Sequence, residues 1–124
     1  MDQALEKRLR ELSIYSDFYY RKELKPLSQL IAPGEQLNCI LTGVHEGNRK
    51  LIAVTNRRII VIFAPLGTGE VKVVKREAVQ EHWFIKRFLF SEAGFTTANE
   101  VFTFTNVQGR LEELFDWAME QPLP

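Results

Sequence analysis

Leu5, Leu9 and Leu12 recur at i, i+4 and i+7 with charges on the other faces, which predicts an amphipathic helix over residues 2–15. An aromatic cluster, Tyr15, Phe18, Tyr19 and Tyr20, follows it. A second short helix is expected over 24–31, with Pro26 tolerated in its first turn, where an amide N–H has no intrahelical partner to lose. Pro33-Gly34 breaks the chain, and from Leu37 the character changes to β. Residues 37–45 predict a strand running to a two-residue Gly47-Asn48 turn. Residues 50–55 and 58–64 are rich in β-branched side chains and predict two more strands around Asn56-Arg57. Pro65 to Gly69 reads as a loop, 70–76 as a strand and 79–90 as one or more strands. Residues 93–98 and 100–105 predict a hairpin around Ala98-Asn99, whose second arm alternates Val101, Thr103 and Thr105 with Phe102 and Phe104.

A last helix is expected over 107–120, with Val107, Leu111, Leu114, Phe115, Ala118 and Met119 forming one apolar stripe. Asn106 is placed as its N-cap, Glu112, Glu113 and Asp116 on its other face, and Pro122 and Pro124 beyond its end. About seven short strands before one amphipathic helix predict a mainly β fold with α, an antiparallel barrel or sandwich with a helix packed on it.

Pro33-Gly34-Glu35, then a strand, then Leu51-Ile52-Ala53-Val54-Thr55-Asn56-Arg57-Arg58-Ile59-Ile60 form an ordered pair of motifs. This "P-G-E" followed by "L-x-x-T-N-x-R" and two apolar residues resembles the bacterial pleckstrin-homology (PH) family of the YokE-like type. Val79 falls where that family has an apolar residue beginning its second sheet, and VFTFTNV (101–107) resembles its last strand running into its helix. The resemblance covers roughly residues 30–120. It implies a PH-like partly open barrel of about seven antiparallel strands in two sheets, capped by a C-terminal helix. On that reading residues 1–32 are an N-terminal helical extension and 33–124 the barrel with its helix.

PH domains often bind inositol phosphates among loops that here correspond to about 45–50, 64–70 and 98–100. Arg49 and Lys50 stand there against Glu46, Glu70 and Glu100, and Leu41 to Val44 offer no base. Inositol phosphate binding is therefore not expected.

Lysine plus arginine and aspartate plus glutamate number 16 each among 124 residues, so bulk charge argues for neither nucleic acid nor a cationic partner. The zero hides a division. Residues 36–90 carry +5 and residues 91–124 carry −5. Such a division can orient the molecule on a charged surface, drive head-to-tail association, or cancel within the fold. No apolar run approaches the ~20 residues of a membrane span. The charged start (MDQALEKRLREL) lacks a signal-peptide core, and the lone Cys39 cannot form an internal disulfide, so a reducing cytoplasm is expected.

The short motifs of metalloproteases, serine hydrolases, phosphate-binding loops and paired-cysteine sites are absent, and no catalytic residue is assigned. Leu66-Gly67-Thr68-Gly69 lacks a third glycine and a following helix, so it reads as a turn. Cys39 reads as a small core residue, and His45 and His82 have no partners at metal-ligand spacing. No enzyme activity, cofactor or metal is expected; nucleic acid would want aromatics interleaved on one basic sheet face, whereas the β segments are apolar.

Trp83-Phe84-Ile85-Lys86-Arg87-Phe88-Leu89-Phe90 holds six large apolar residues and two adjacent cations. A strand buried on one face needs only every second residue apolar. Either this segment shows an aromatic-basic surface to a partner, or the N-terminal helices cover its second face, or 86–88 turn between buried strands. Trp117, off the centre of the last stripe, is an edge-of-core residue or an anchor for a second subunit. The reading is a non-enzymatic PH-like protein-interaction or self-association module in a bacterial cytoplasm. Trp83, Phe84, Phe88, Phe90 and Trp117 are its contact residues, with Lys86 and Arg87 at the rim. The alternative is peripheral binding of an anionic membrane surface through the same segment.

Overall fold

A computed structural model describes residues 2–19, 21–66, 69–108 and 112–124, without the side chains of Gln108, Glu112 and Glu113. Asp2 opens the first helix by accepting the Leu5 N–H at 3.0 Å, and α1 (Gln3–Glu11) buries Leu5 and Leu9. The helix expected over 2–15 is two pieces. Ser13 takes a left-handed φ of 61°, and the chain resumes as α2 (Tyr15–Phe18), which buries Phe18. Next, α3 (Leu24–Leu30) buries Leu24 and Leu27.

The strands are β1 (Leu37–His45), β2 (Asn48–Thr55), β3 (Arg58–Phe63), β4 (Glu70–Lys75), β5 (Glu81–Ile85), β6 (Ser91–Thr96) and β7 (Val101–Gln108), and α4 (Glu112–Glu120) closes the chain. The loop expected between β1 and β2 sits one residue earlier. Glu46 and Gly47 both have positive φ, 52° and 79°, and His45 pairs with Asn48. A two-residue loop matching the twist of its strands needs both central residues there, and Gly47 supplies the second. The Gly67-Thr68 part of the predicted turn lies outside the described residues.

Two other expectations are corrected. Among the described residues the last helix spans Glu112–Glu120 and does not include 107. Val107 lies in β7 opposite Ser91, and Asn106 bends that strand at a φ of 49° instead of capping a helix. Val107 is apolar because it faces Gly43 across β1, a strand requirement that happened to fall in step with the helical stripe. Leu111 lies outside the described residues. Of residues 79–90, only 81–85 form a strand. The ladder ends at Ile85 opposite Glu92, and 86–90 round the corner outside it.

All neighbouring strands are antiparallel, in the order β4-β3-β2-β1-β7-β6-β5. β4 and β5 end the order and do not pair with each other, so the sheet is a PH-like barrel left partly open. α4 packs against β5, β1 and β2 at the opening. Leu41, Ile52 and Val61 share the inner face with Lys72, whose ammonium lies 5.9 Å from the Phe102 ring centre. Ile40, Ala53 and Ile60 share the outer face with Thr42, Leu51 and Ile62, and all are buried. One helix cannot cover both faces, so the outer one falls to α1–α3, whose buried leucines belong to the same core cluster.

The two sequence motifs meet beneath α3. Glu35 Oε2 accepts from Thr55 Oγ1 at 2.7 Å and from Arg58 Nε at 2.8 Å. Its Oε1 accepts from the Ala32 N–H at 2.9 Å and from Arg58 Nη2 at 2.8 Å. Arg58 also donates to the Leu30 carbonyl, and Asn56 exchanges two 2.9 Å hydrogen bonds with the Gln36 backbone. Burial alone would raise the Glu35 carboxyl, but the hydrogen bonds from Arg58, Thr55 and Ala32 outweigh it and hold the pKa at about 2. The conspicuous motif is thus a clamp between the extension and the sheet.

Candidate interaction surface

β5 resolves the puzzle of consecutive bulky residues by using both its faces. His82 and Phe84 point inward at α4, with ring centres 6.3 Å and 6.0 Å from that of Phe115. Trp83 points outward and lies across Gly94, where any Cβ would come within 2.3 Å of the indole. Its Nε1 donates to Glu92 Oε2 at 3.0 Å. The other Glu92 oxygen sits 3.6 Å from Arg87 Nη2, so one carboxylate ties the strand to the corner after it. Trp83 and Phe84 are half-buried and help hold the fold.

Beyond Phe84 the chain turns to solvent. Ile85, Lys86, Arg87, Phe88, Leu89 and Phe90 are all exposed, Phe88 to 99% and Leu89 to 77%. Scattered exposed apolar residues are ordinary, whereas four within six consecutive positions make a patch. The N-terminal helices do not cover it, because they serve the outer face of β1–β3. Trp117 projects from α4 with 42% of its surface exposed, away from buried Phe115, Ala118 and Met119. Sequence reasoning passed over Ile85 and Leu89 by weighting aromatic rings. It also passed over Glu81, which stands exposed on the same edge strand as Trp83.

The patch is bordered by acids. His82 Nδ1 is 3.5 Å from Asp116 Oδ1, and Nε2 is 4.0 Å from Glu120 Oε1. Glu81 on β5 and Glu92 on β6 bring the carboxylates of these elements to four, against two cations, Lys86 and Arg87. Neither Glu81 nor Lys86 forms an ion pair with another described residue.

At the other end of the barrel the cations are engaged. Lys72 pairs with Glu100 at 3.1 Å, while Lys50 and His45 face Glu46 at 3.7 Å and 2.9 Å. Cys39 is fully buried in β1, and burial pushes its thiol pKa up, away from the reactive thiolate. His45 packs on Phe104 and His82 on Phe115, so the two histidines serve different places. Among the described residues no group of three His, Cys, Asp or Glu is placed to hold a metal ion. A cleft of about 610 Å³ lies between α1 and the 31–37 segment. Its Asp2 caps α1, and its Arg8 donates to the Leu37 carbonyl at 2.6 Å and to Asn38 Oδ1 at 3.0 Å. No described helix is long and apolar enough to cross a membrane.

Compared with known proteins, the chain matches no family model, and no curated protein matches it.

Proposed function

We propose that this chain is a non-enzymatic PH-like module of the bacterial cytoplasm, acting by contact with another protein chain through residues 85–90. The observation that carries the reading is the exposed corner at Phe88 and Leu89, set beside the edge strand β5, which pairs with β6 on one side only. Four apolar side chains held in water at the end of an open sheet edge gain most from a protein surface, which offers both apolar cover and backbone partners. The strand order and the capping helix support the PH resemblance. The engaged lysines at the opposite rim argue against inositol phosphate as ligand.

A second reading, docking on an anionic membrane, draws on the same corner because Lys86 and Arg87 flank it. Each cation near such a surface contributes only ~1 kcal/mol. Glu81, Glu92, Asp116 and Glu120 oppose that attraction, and lipid cannot satisfy the free backbone edge of β5.

The test is the double variant Phe88→Ser/Leu89→Ser, both sites being fully or largely exposed. Light scattering across a concentration series is expected to show a rising mass for the unaltered chain. The variant should stay at 14.4 kDa, with unchanged circular dichroism and melting temperature. Masses that rise equally for the two chains would overturn the reading. So would an unaltered chain that stays monomeric and pellets with phosphatidylserine vesicles.

A further inference from the structure

We infer that the partner is a second copy of this chain, joined through the free edge of β5 in one antiparallel register centred on Phe84. The inference rests on the protein-contact reading above and specifies the occupant of that surface.

A two-fold axis normal to a sheet keeps outward residues outward, so a strand pairing with its own copy must be centred on a residue. Only a few centres fit β5 and the corner after it. Centred on Trp83, Glu81 faces Ile85 and Lys86 faces Gln80. Centred on Ile85, Glu81 faces Leu89. Centred on Phe84, the unpaired Glu81 finds a cation. Glu81 then stands opposite Arg87 of the second copy, and Trp83 opposite Ile85. Lys86 arrives opposite His82, whose ring already lies against Asp116 and Glu120. Leu89 comes alongside Val79, a half-buried residue next to the core. The symmetry makes each of these contacts twice.

The other free edge, β4, offers no such match. Centred on Lys72 it opposes lysine to lysine, and centred on Val73 it sets Lys75 against Val71 and Lys72 against Val74. Lysines along an edge strand oppose strand addition. Charge complementarity therefore selects β5 and selects the register. Pairing extends β5 by two residues to Arg87, releasing that side chain from its 3.6 Å contact with Glu92 or sharing it.

The test is a mixed-cysteine trap in the full-length chain, backed by charge reversal. Glu81→Cys mixed with Arg87→Cys should give a covalent dimer under mild oxidation, whereas neither protein alone should. In this register like positions lie six residues apart along the ladder, about 20 Å. Buried Cys39 gives no background. Glu81→Lys or Arg87→Glu alone should weaken the dimer about tenfold, through two lost pairs and two new repulsions, and the combined swap should restore it. A monomeric unaltered chain overturns the second-copy inference. A dimer that Phe88→Ser/Leu89→Ser abolishes but that cross-links only through Glu81→Cys with Ile85→Cys overturns the Phe84 register and leaves the protein-contact reading standing. A dimer indifferent to both sets of variants overturns the two together.

Discussion

At the scale of single residues, the strongest polar commitment is the Glu35–Arg58 pair, with the carboxylate wholly buried and both its oxygens used. Its folded pKa lies near 2, against an ordinary value of 4.5, so folding favours the ionised form. The stabilisation is full above the ordinary value and is lost as pH falls from about 4.5 towards 2, because the unfolded chain then binds a proton that the folded one refuses. A shift of this size corresponds to about 3 kcal/mol. Glu35→Gln should therefore lower the melting temperature at pH 7 and flatten its fall between pH 5 and pH 2.5, as followed by thermal denaturation. A steep acid limb in the variant would assign the acid sensitivity elsewhere. The motif residues stood out in the sequence, but their roles did not. Glu35 and Arg58 are 23 positions apart, and only the hairpin and the loop before it bring them together.

Elements were legible where one requirement dominated. β1 and α3 fall on or within a residue of their predicted limits, because an apolar run between Pro33-Gly34 and Gly47 in one case, and a single apolar face in the other, had no competitor there. The β7–α4 boundary was not legible. Phe102, Phe104 and Val107 satisfy a strand, while Val107, Leu114 and Ala118 also satisfy a helical period, and only pairing with β6 decides between them. Trp83-Phe84-Ile85 was ambiguous because a glycine on the neighbouring strand, invisible to local periodicity, makes room for an outward indole. The far end of α4 has its own anchor. Arg76, buried just after β4, donates through Nη2 to the Met119 carbonyl at 2.9 Å and to that of Gln121. Arg76→Ala should leave those helix-end carbonyls without a buried donor and cost about 1–3 kcal/mol by chemical denaturation. Hydrogen exchange should show faster opening of α4 than of β2 and β3, and equal acceleration everywhere would refute the anchoring role.

For the whole molecule, the zero net charge conceals a real division that the fold partly closes, since Lys72 meets Glu100 and Arg87 meets Glu92. The extension is not an appendage in energetic terms. Removing residues 1–32 would bare Ile40, Leu51, Ala53, Ile60 and Ile62 and strip Glu35 of its Ala32 hydrogen bond. Burying one such aliphatic side chain is worth about 1.5–3 kcal/mol, so the truncated chain is expected to bind a hydrophobic dye and lose its cooperative melt. Retention of a sharp transition would show that the barrel stands alone. Finally, the incomplete closure of the barrel gives the ladder two unlike rims, one lysine-bearing and one bordered by rings. A rim that recognises only its own kind is consumed when two molecules meet, and the opposite rims stay guarded. On the β5 pairing proposed above, the strands would form one ribbon through a pair of molecules and stop there, so that a sheet with open ends would yield a finite particle instead of a fibre.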